Sequence, residues 1–323
     1  MGIGYRRTAG GMAIGMAVAW LSCACAAAVD LRETATAFIN DKDALEAILD
    51  EVGDDRSAME SHLADENLLQ GDVEEFFKDR LTANLLRLKL KVDRKLMKKA
   101  CRELGYEPWK LRKPSRPSWN LGQDASEYID AWKAWKQYLK DVRDRIQDIE
   151  DALAGGDSQQ LYDAVTAYFN TRRLRHEARL MWQSRLKAIK KQVGFKGTGS
   201  PEEPAGDTLA AVVTEYLADR DQWKNLSDTV DDDRGEIEAN LGDDTALWNA
   251  VSQFFADRRL LQLKSRELAM DRKAMRKEFK ERAGLSLKEK LMLKVGAALS
   301  AGSEDAEDEE GDLDEDANAG GGE

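Results

Sequence analysis

The feature that most limits how this chain can fold is a long internal repeat. Most of the segment from Asp54 to Lys99 returns, without a gap, from Asp232 to Lys277. The offset between matched positions is constant, and from Asp54 to Arg80 twelve of 27 positions are identical. Because a repeat of this length recurs as a whole structural unit, the chain is expected to be built from copies of one motif.

A third, more diverged copy lies halfway between these two, which gives a period of about 90 residues. Three kinds of residue mark it: a leucine near the start, the second residue of an aromatic pair, and an arginine shortly after that pair. The matched sets are Leu63, Leu153 and Leu241; Phe77, Phe169 and Phe255; and Arg80, Arg172 and Arg258.

Composition favours helices, because the chain is rich in Ala, Leu, Glu, Lys and Arg and has only five prolines. All five prolines fall in two short segments that separate the copies. We therefore predict an all-α protein of three tandem helical-hairpin repeats. The predicted divisions are a signal peptide (1–28), repeat 1 (33–105), a Pro-rich linker (106–123), repeat 2 (124–194), a second linker (195–206), repeat 3 (207–284), a short amphipathic capping helix (285–302) and a disordered acidic tail (303–323).

Each repeat is expected to form two antiparallel arms. In the first copy we predict one arm over about 33–68, broken near Gly53, and a second over about 72–104. The first arm is acidic and the second is basic, which favours their antiparallel closure. Glycines 105, 194 and 284 stand where each second arm should end.

The expected core positions of the second arm in the first copy are Val73, Phe77, Leu81, Leu85, Leu88, Val92, Leu96 and Ala100. Across the copies, Phe38, Tyr128 and Tyr216 correspond, as do Leu45, Trp135 and Trp223, and both sets are expected to be hairpin core.

The first 28 residues have the three parts of an export signal: Arg6 and Arg7, an apolar run, and small residues at 26–28. We therefore expect a periplasmic or extracellular protein. Cys101 would be the only cysteine of the mature chain, either as a buried, inert thiol or in an intermolecular disulfide.

Motifs for catalysis are not evident in this sequence, so we predict no catalytic residue, no cofactor and no metal site. Two scattered histidines and the one cysteine of the mature chain do not have the spacing of zinc ligands, and the carboxylates show no converging pair.

We interpret Asp79-Arg80 and Asp257-Arg258 as structural ion pairs where each hairpin packs, with a ligand clamp as the alternative. The basic residues predicted as a possible interaction surface are Arg80, Arg172, Arg258, Arg272, Lys273, Arg276 and Lys277.

The charge of the chain is uneven, because residues 303–323 carry eleven acids and no base. This tail either only solubilises the chain or acts as a gate over the basic arm of the third repeat.

We expect the chain to be an exported, non-enzymatic repeat protein that acts as a scaffold. It should bind protein partners or itself, with no nucleic acid and no small-molecule substrate. The alternatives are a chaperone-like holdase of the cell envelope that uses the basic arms, and an enzyme with an unrecognised site. The sequence leaves open whether the repeats form one solenoid or three separate hairpins.

Overall fold

A computed structural model describes residues 29–108, 110–195 and 200–282. The regular secondary structure of this part of the chain is entirely helical, with no strand. Consecutive helices pair into three antiparallel hairpins, so the predicted all-α architecture of tandem hairpin repeats is confirmed. The six helices are α1 (Leu31–Ser61), α2 (Glu66–Glu103), α3 (Leu121–Gly155), α4 (Ser158–Gln192), α5 (Leu209–Ala239) and α6 (Asp244–Arg282).

The predicted break near Gly53 was wrong, because α1 is continuous from Leu31 to Ser61. The chain reverses at residues 62–65 instead, and α2 begins at Glu66 rather than at 72. Asp65 sets this start, since its side chain accepts hydrogen bonds from the N–H groups of the first turn of α2. Gly53 costs the helix some stability but requires no turn.

Glycine ends two of the second helices as predicted. Gly105 has a φ of 101° and Gly194 has a φ of 67°, both in the left-handed region that side chains disfavour. Gly284, the third predicted cap, lies outside the described residues. In both described cases an aromatic residue, Tyr106 or Phe195, directly follows the glycine.

The three hairpins contact one another in a closed cycle. We call the half of a hairpin near its turn the tip and the half near its two ends the base. The base of the first hairpin packs on the tip of the second, in a cluster that contains Phe38 and Tyr168. The base of the second packs on the tip of the third, and the base of the third packs on the tip of the first. This arrangement is neither an open solenoid nor a set of separate hairpins.

Because the three hairpins form a closed cycle, the fold does not need a terminal segment to cover an apolar end. In an open stack, the last repeat leaves an apolar end that a capping element must cover. Here the base of the third hairpin is already covered by the tip of the first. The predicted capping helix, 285–302, lies outside the described residues, as do the predicted signal peptide and the acidic tail.

The aromatic residues that mark the repeats are buried, as predicted. Phe77, Phe169 and Phe255 each lie within the cluster between their own tip and a neighbouring base. Among the other predicted core positions, Phe38, Tyr128, Tyr216, Leu45 and Trp135 are buried and Trp223 is half-buried against its cluster.

Candidate functional site

Each interface between hairpins contains a tyrosine of one hairpin packed on a phenylalanine of the other. The ring centroids lie 5.9 Å apart for Tyr216 and Phe76, and 5.8 Å apart for Tyr128 and Phe254. At the third interface Tyr168 lies 5.6 Å from Phe38. The tyrosine belongs to the base at two interfaces and to the tip at the third. Every interface therefore buries at least one phenolic hydroxyl, which needs a polar partner.

Arginines supply those partners. The Nε atom of Arg234 donates to the Tyr128 hydroxyl at 3.0 Å, and Nη1 of Arg172 donates to the Tyr168 hydroxyl at 3.1 Å. At the remaining interface, Arg56 bonds to Tyr216. Burial alone would raise the pKa of Tyr216, but the surrounding arginines lower this pKa overall. Arg56 and Arg234 occupy matched positions of the first and third copies, so the repeat preserves this contact.

The predicted surface residues Arg80, Arg172 and Arg258 lie one at each interface, over aromatic rings. Their guanidinium carbons are 5.5, 5.6 and 6.0 Å from the centroids of Phe76, Tyr168 and Phe254, respectively. Burial, together with the charge of Arg272, lowers the pKa of Arg80 to about 9. These arginines act inside the molecule, so a surface for a partner has to be built mainly from other bases.

The four predicted residues of α6 divide into two pairs. Arg276 lies over Phe77, with its guanidinium carbon 5.1 Å from the ring centroid, and Arg272 lies near Arg80 and Tyr216. Lys273 and Lys277 are exposed. The structure therefore leaves only the two lysines of this group facing solvent.

Pairs of carboxyl groups occupy the interiors of the first and third hairpins. Asp79 faces Asp55, and burial, together with Asp79 and Glu75, raises the pKa of Asp55 to about 7. The equivalent Asp233 faces Asp257, and burial with that neighbour raises the pKa of Asp233 to about 6. The expected ion pairs at Asp79-Arg80 and Asp257-Arg258 were wrong, because each aspartate turns into its hairpin while each arginine turns across the interface.

A second set of carboxyl pairs lies in the bases of the same hairpins. Asp93 faces Asp41, and burial and this neighbour raise the pKa of Asp93. Asp271, which matches Asp93 in the third copy, is buried near Asp219, and burial and the charge of that neighbour raise the pKa of Asp271 to about 7. In each pair a lysine contacts the partner carboxylate, Lys89 at Asp41 and Lys264 at Asp219. A protonated carboxyl group can donate a hydrogen bond to an ionised one, which lowers the free-energy cost of burying both groups.

Two extended linkers pack along the outer sides of α4 and α6. We call residues 106–120 the first strap and residues 195–208 the second strap, of which 109 and 196–199 are not described. The backbone N–H of Arg112 donates to Glu177 of α4 at 3.0 Å. The N–H of Glu202 donates to Glu267 of α6 at 3.1 Å. The two acceptors lie on the second helix of their hairpins but one helical turn apart, since Glu177 follows Phe169 by eight residues and Glu267 follows Phe255 by twelve.

The first strap is further fixed near its end by a buried carboxylate. Asp124 accepts hydrogen bonds from the backbone N–H groups of Ser118 and Trp119 at 3.0 and 3.1 Å, and from Gln192 at 2.7 Å. Arg185, which is also buried, lies 3.8 Å from Asp124. The second hairpin uses this acid–base cluster in the base where the other two hairpins have carboxyl pairs.

Exposed bases follow the second helix of each hairpin along one side of its base half. We call these three groups the basic faces. They consist of Lys95, Lys99 and Arg102 on α2; Lys187, Lys190 and Lys191 on α4; and Arg266, Lys273 and Lys277 on α6. The α2 and α6 faces share equivalent lysines, because Lys95 and Lys99 match Lys273 and Lys277 in the repeat.

An apolar stripe lies beside the basic face of α2, on the side of the helix away from α1. Leu85, Leu88 and Val92 are 38%, 38% and 48% exposed. They were predicted to be core, and this was wrong. In this half of α2 the buried side is formed by Ala83, Leu90, Met97 and Cys101, together with Ala100, which was predicted to be core.

Among the described residues, no group of three or more His, Cys, Asp or Glu could hold a metal ion. None of the helices in this part of the chain is long and apolar enough to cross a membrane. Comparison with protein-family models, curated proteins and solved structures found no match to this chain.

Proposed function

We propose that this chain is an exported, non-enzymatic scaffold whose basic faces bind acidic segments of protein partners. The observation that carries this proposal is the threefold recurrence of exposed bases along the base halves of α2, α4 and α6. Positive charge gathered in this way, on a body whose 47 bases and 50 acids nearly balance over residues 29–302, attracts a chain of opposite sign.

The use of the interior charges supports a non-enzymatic role. The groups with displaced pKa values, such as Arg80, Asp55 and Asp271, lie in hairpin interiors or between hairpins. Most of them recur at equivalent positions of another repeat. Displaced pKa values also arise in structural networks, and recurrence with the repeat points to packing as their role. We therefore infer that these groups belong to the packing within and between the hairpins.

Three basic faces on one closed body favour multivalent binding. An exposed lysine contributes little to affinity when it acts alone. Once one face holds an acidic chain, however, the other faces meet that chain at a high effective concentration. A partner with a long acidic segment, or with several of them, should therefore bind much more tightly than a single short acidic peptide.

Binding of fluorescein-labelled poly-glutamate to the chain from Val29 onward, followed by fluorescence anisotropy at low salt, tests this proposal. The double variant K273Q/K277Q should weaken binding about tenfold, and salt should weaken it in the wild type. A matched control is K140Q/R145Q, which removes two exposed bases from α3.

Equal losses in the two double variants would show that only net charge matters, and the proposal would be wrong. Undetectable binding to poly-glutamate at low salt would also refute it. Binding of single-stranded DNA at equal affinity would show that the faces do not select acidic protein.

A further inference from the structure

The straps cover α4 and α6, but no described segment covers the corresponding side of α2. On that side, Leu85, Leu88 and Val92 are exposed. The residue of the third hairpin that matches Leu88 in the repeat is Arg266. The second helix that lacks a described strap is therefore the one with an apolar outer stripe.

Both straps begin in the same way. After the left-handed glycine, the first residue stacks its ring on the second residue of the aromatic pair in the next hairpin's tip. The ring centroids of Tyr106 and Phe169 lie 6.2 Å apart, and those of Phe195 and Phe255 lie 5.4 Å apart. By the same rule, a strap after the third hairpin would begin at Phe77 of the first.

The end of α6 lies at that place. Phe279, near the end of α6, has its ring centroid 6.4 Å from that of Phe77. The chain continues through Gly284 to Leu285, in the order of Gly105-Tyr106 and Gly194-Phe195. Residue 285 is thus expected to leave α6 beside the phenylalanine on which a third strap would start.

The register along α2 follows from the other two straps. The first strap runs from Tyr106 to Arg112 before it bonds to Glu177, and the second runs from Phe195 to Glu202 before it bonds to Glu267. Glu177 follows Phe169 by eight residues and Glu267 follows Phe255 by twelve, so the equivalent residues of α2, counted from Phe77, are Leu85 and Lys89. A strap that starts with Leu285 at Phe77 would therefore pass the turn from Leu85 to Lys89, which contains Leu88, with residues 291 and 292.

We propose that residues 285–297 form a third strap, which runs extended along α2 and covers Leu85, Leu88 and Val92. Its sequence alternates over most of its length, with apolar side chains at Leu287, Leu291, Leu293 and Val295 and lysines at 288, 290 and 294. In an extended chain this alternation puts the apolar side chains on one face. That face would lie on the apolar stripe and the lysines would face solvent.

Chemical complementarity supports this occupant. The first two straps are held by backbone N–H groups that donate to Glu177 and Glu267. On α2 the equivalent residues are Leu85 and Lys89, whose side chains cannot accept such a bond. Where the second strap has Ser200, Pro201 and Glu202, residues 290–292 include Leu291 and Met292. An apolar contact would replace the polar one on both sides.

Disulfide cross-linking in the chain from Val29 onward tests the register. The pair L88C/L291C should form an intramolecular disulfide in high yield under mild oxidation. The matched control is R266C/L291C, which places the first cysteine at the equivalent position of α6, beside the second strap. Cys101 does not interfere, because it is buried.

A yield for L88C/L291C no higher than that of the control would overturn the proposal. An intermolecular disulfide would also overturn it, because it would assign the stripe to a second copy.

The single variant L88R gives an independent measurement, because it installs the residue that the third hairpin already carries. Hydrogen exchange in peptides covering 285–297 should become at least tenfold faster in L88R, while exchange in α1 stays unchanged. Equal exchange in L88R and wild type would also overturn the proposal.

Discussion

Replacing Asp271 with asparagine should make the protein lose part of its pH dependence of stability. Asp271 is 2% exposed, and burial, with Asp219 and Glu215 nearby, raises its pKa from 3.8 to about 7. Between these two values the folded protein holds a proton that the unfolded chain has released. Stability is therefore highest below about pH 4 for this group and falls as pH rises toward about 7.

The size of the effect follows from the shift. A displacement of about 3 pKa units corresponds to about 4 kcal/mol, which is an upper bound if water reaches the ionised carboxylate. Asparagine keeps the shape of the protonated acid and an N–H donor but does not titrate. Relative to the wild type, D271N should therefore gain about 2–4 kcal/mol between about pH 4.5 and about pH 8.

Urea unfolding at the two pH values, followed by far-ultraviolet circular dichroism, measures this difference. The matched control is D221N in the same helix pair, where the side chain is 73% exposed. D221N should shift by less than about 0.5 kcal/mol over the same range. If D271N and the wild type show parallel stability curves, Asp271 does not hold a proton near neutral pH and the carboxyl-pair argument fails.

Two further predictions concern the core. F255A should lower the free energy of unfolding by about 3–5 kcal/mol, because Phe255 is buried and stacks on Phe195. A loss below about 1 kcal/mol, measured by urea unfolding, would contradict the place of Phe255 in the interface. Cys101 should not react with Ellman's reagent in the folded protein, because burial raises the pKa of its thiol to about 12. Rapid reaction without denaturant would show that the base of the first hairpin opens.

The repeat and its hairpins could be predicted from the sequence because helical propensity, proline position and residue matching all act locally. The closed cycle could not. Which tip meets which base depends on contacts between residues far apart in the chain, such as Tyr216 and Phe76. Residue matching identified both as repeated positions but gave no information about their partners.

The outer stripe of α2 was assigned to the core for a different reason. Leu85, Leu88 and Val92 continue the spacing of three and four that begins with Val73 and Phe77. Over a helix of 38 residues, such a pattern drifts around the axis, so Leu85, Leu88 and Val92 in its middle face a different direction from Val73 and Phe77. Buried acids such as Asp93 and Asp271 were missed because a charged residue counts as polar in any periodicity argument.

The acidic tail should compete with poly-glutamate for the basic face of α2 rather than that of α6, a prediction that rests on the third strap and on the proposed function. A strap over 285–297 would end near Lys99, so the eleven acids of residues 303–323 would begin beside that face. A tethered chain of this length has an effective concentration of roughly millimolar, enough for weak contacts to occupy lysines at low salt.

Ending the chain at Ala301 should then strengthen poly-glutamate binding about threefold or more at low salt, and much less at about 0.5 M salt, where exposed charges are screened. The variant K95Q/K99Q should lose this gain, whereas K273Q/K277Q should keep it, because the latter pair lies on the face that the tail does not reach. If both double variants keep the gain, the tail acts on no particular face. If truncation changes neither affinity nor salt dependence, the tail only solubilises the chain, and the basic faces are open to a partner at all times.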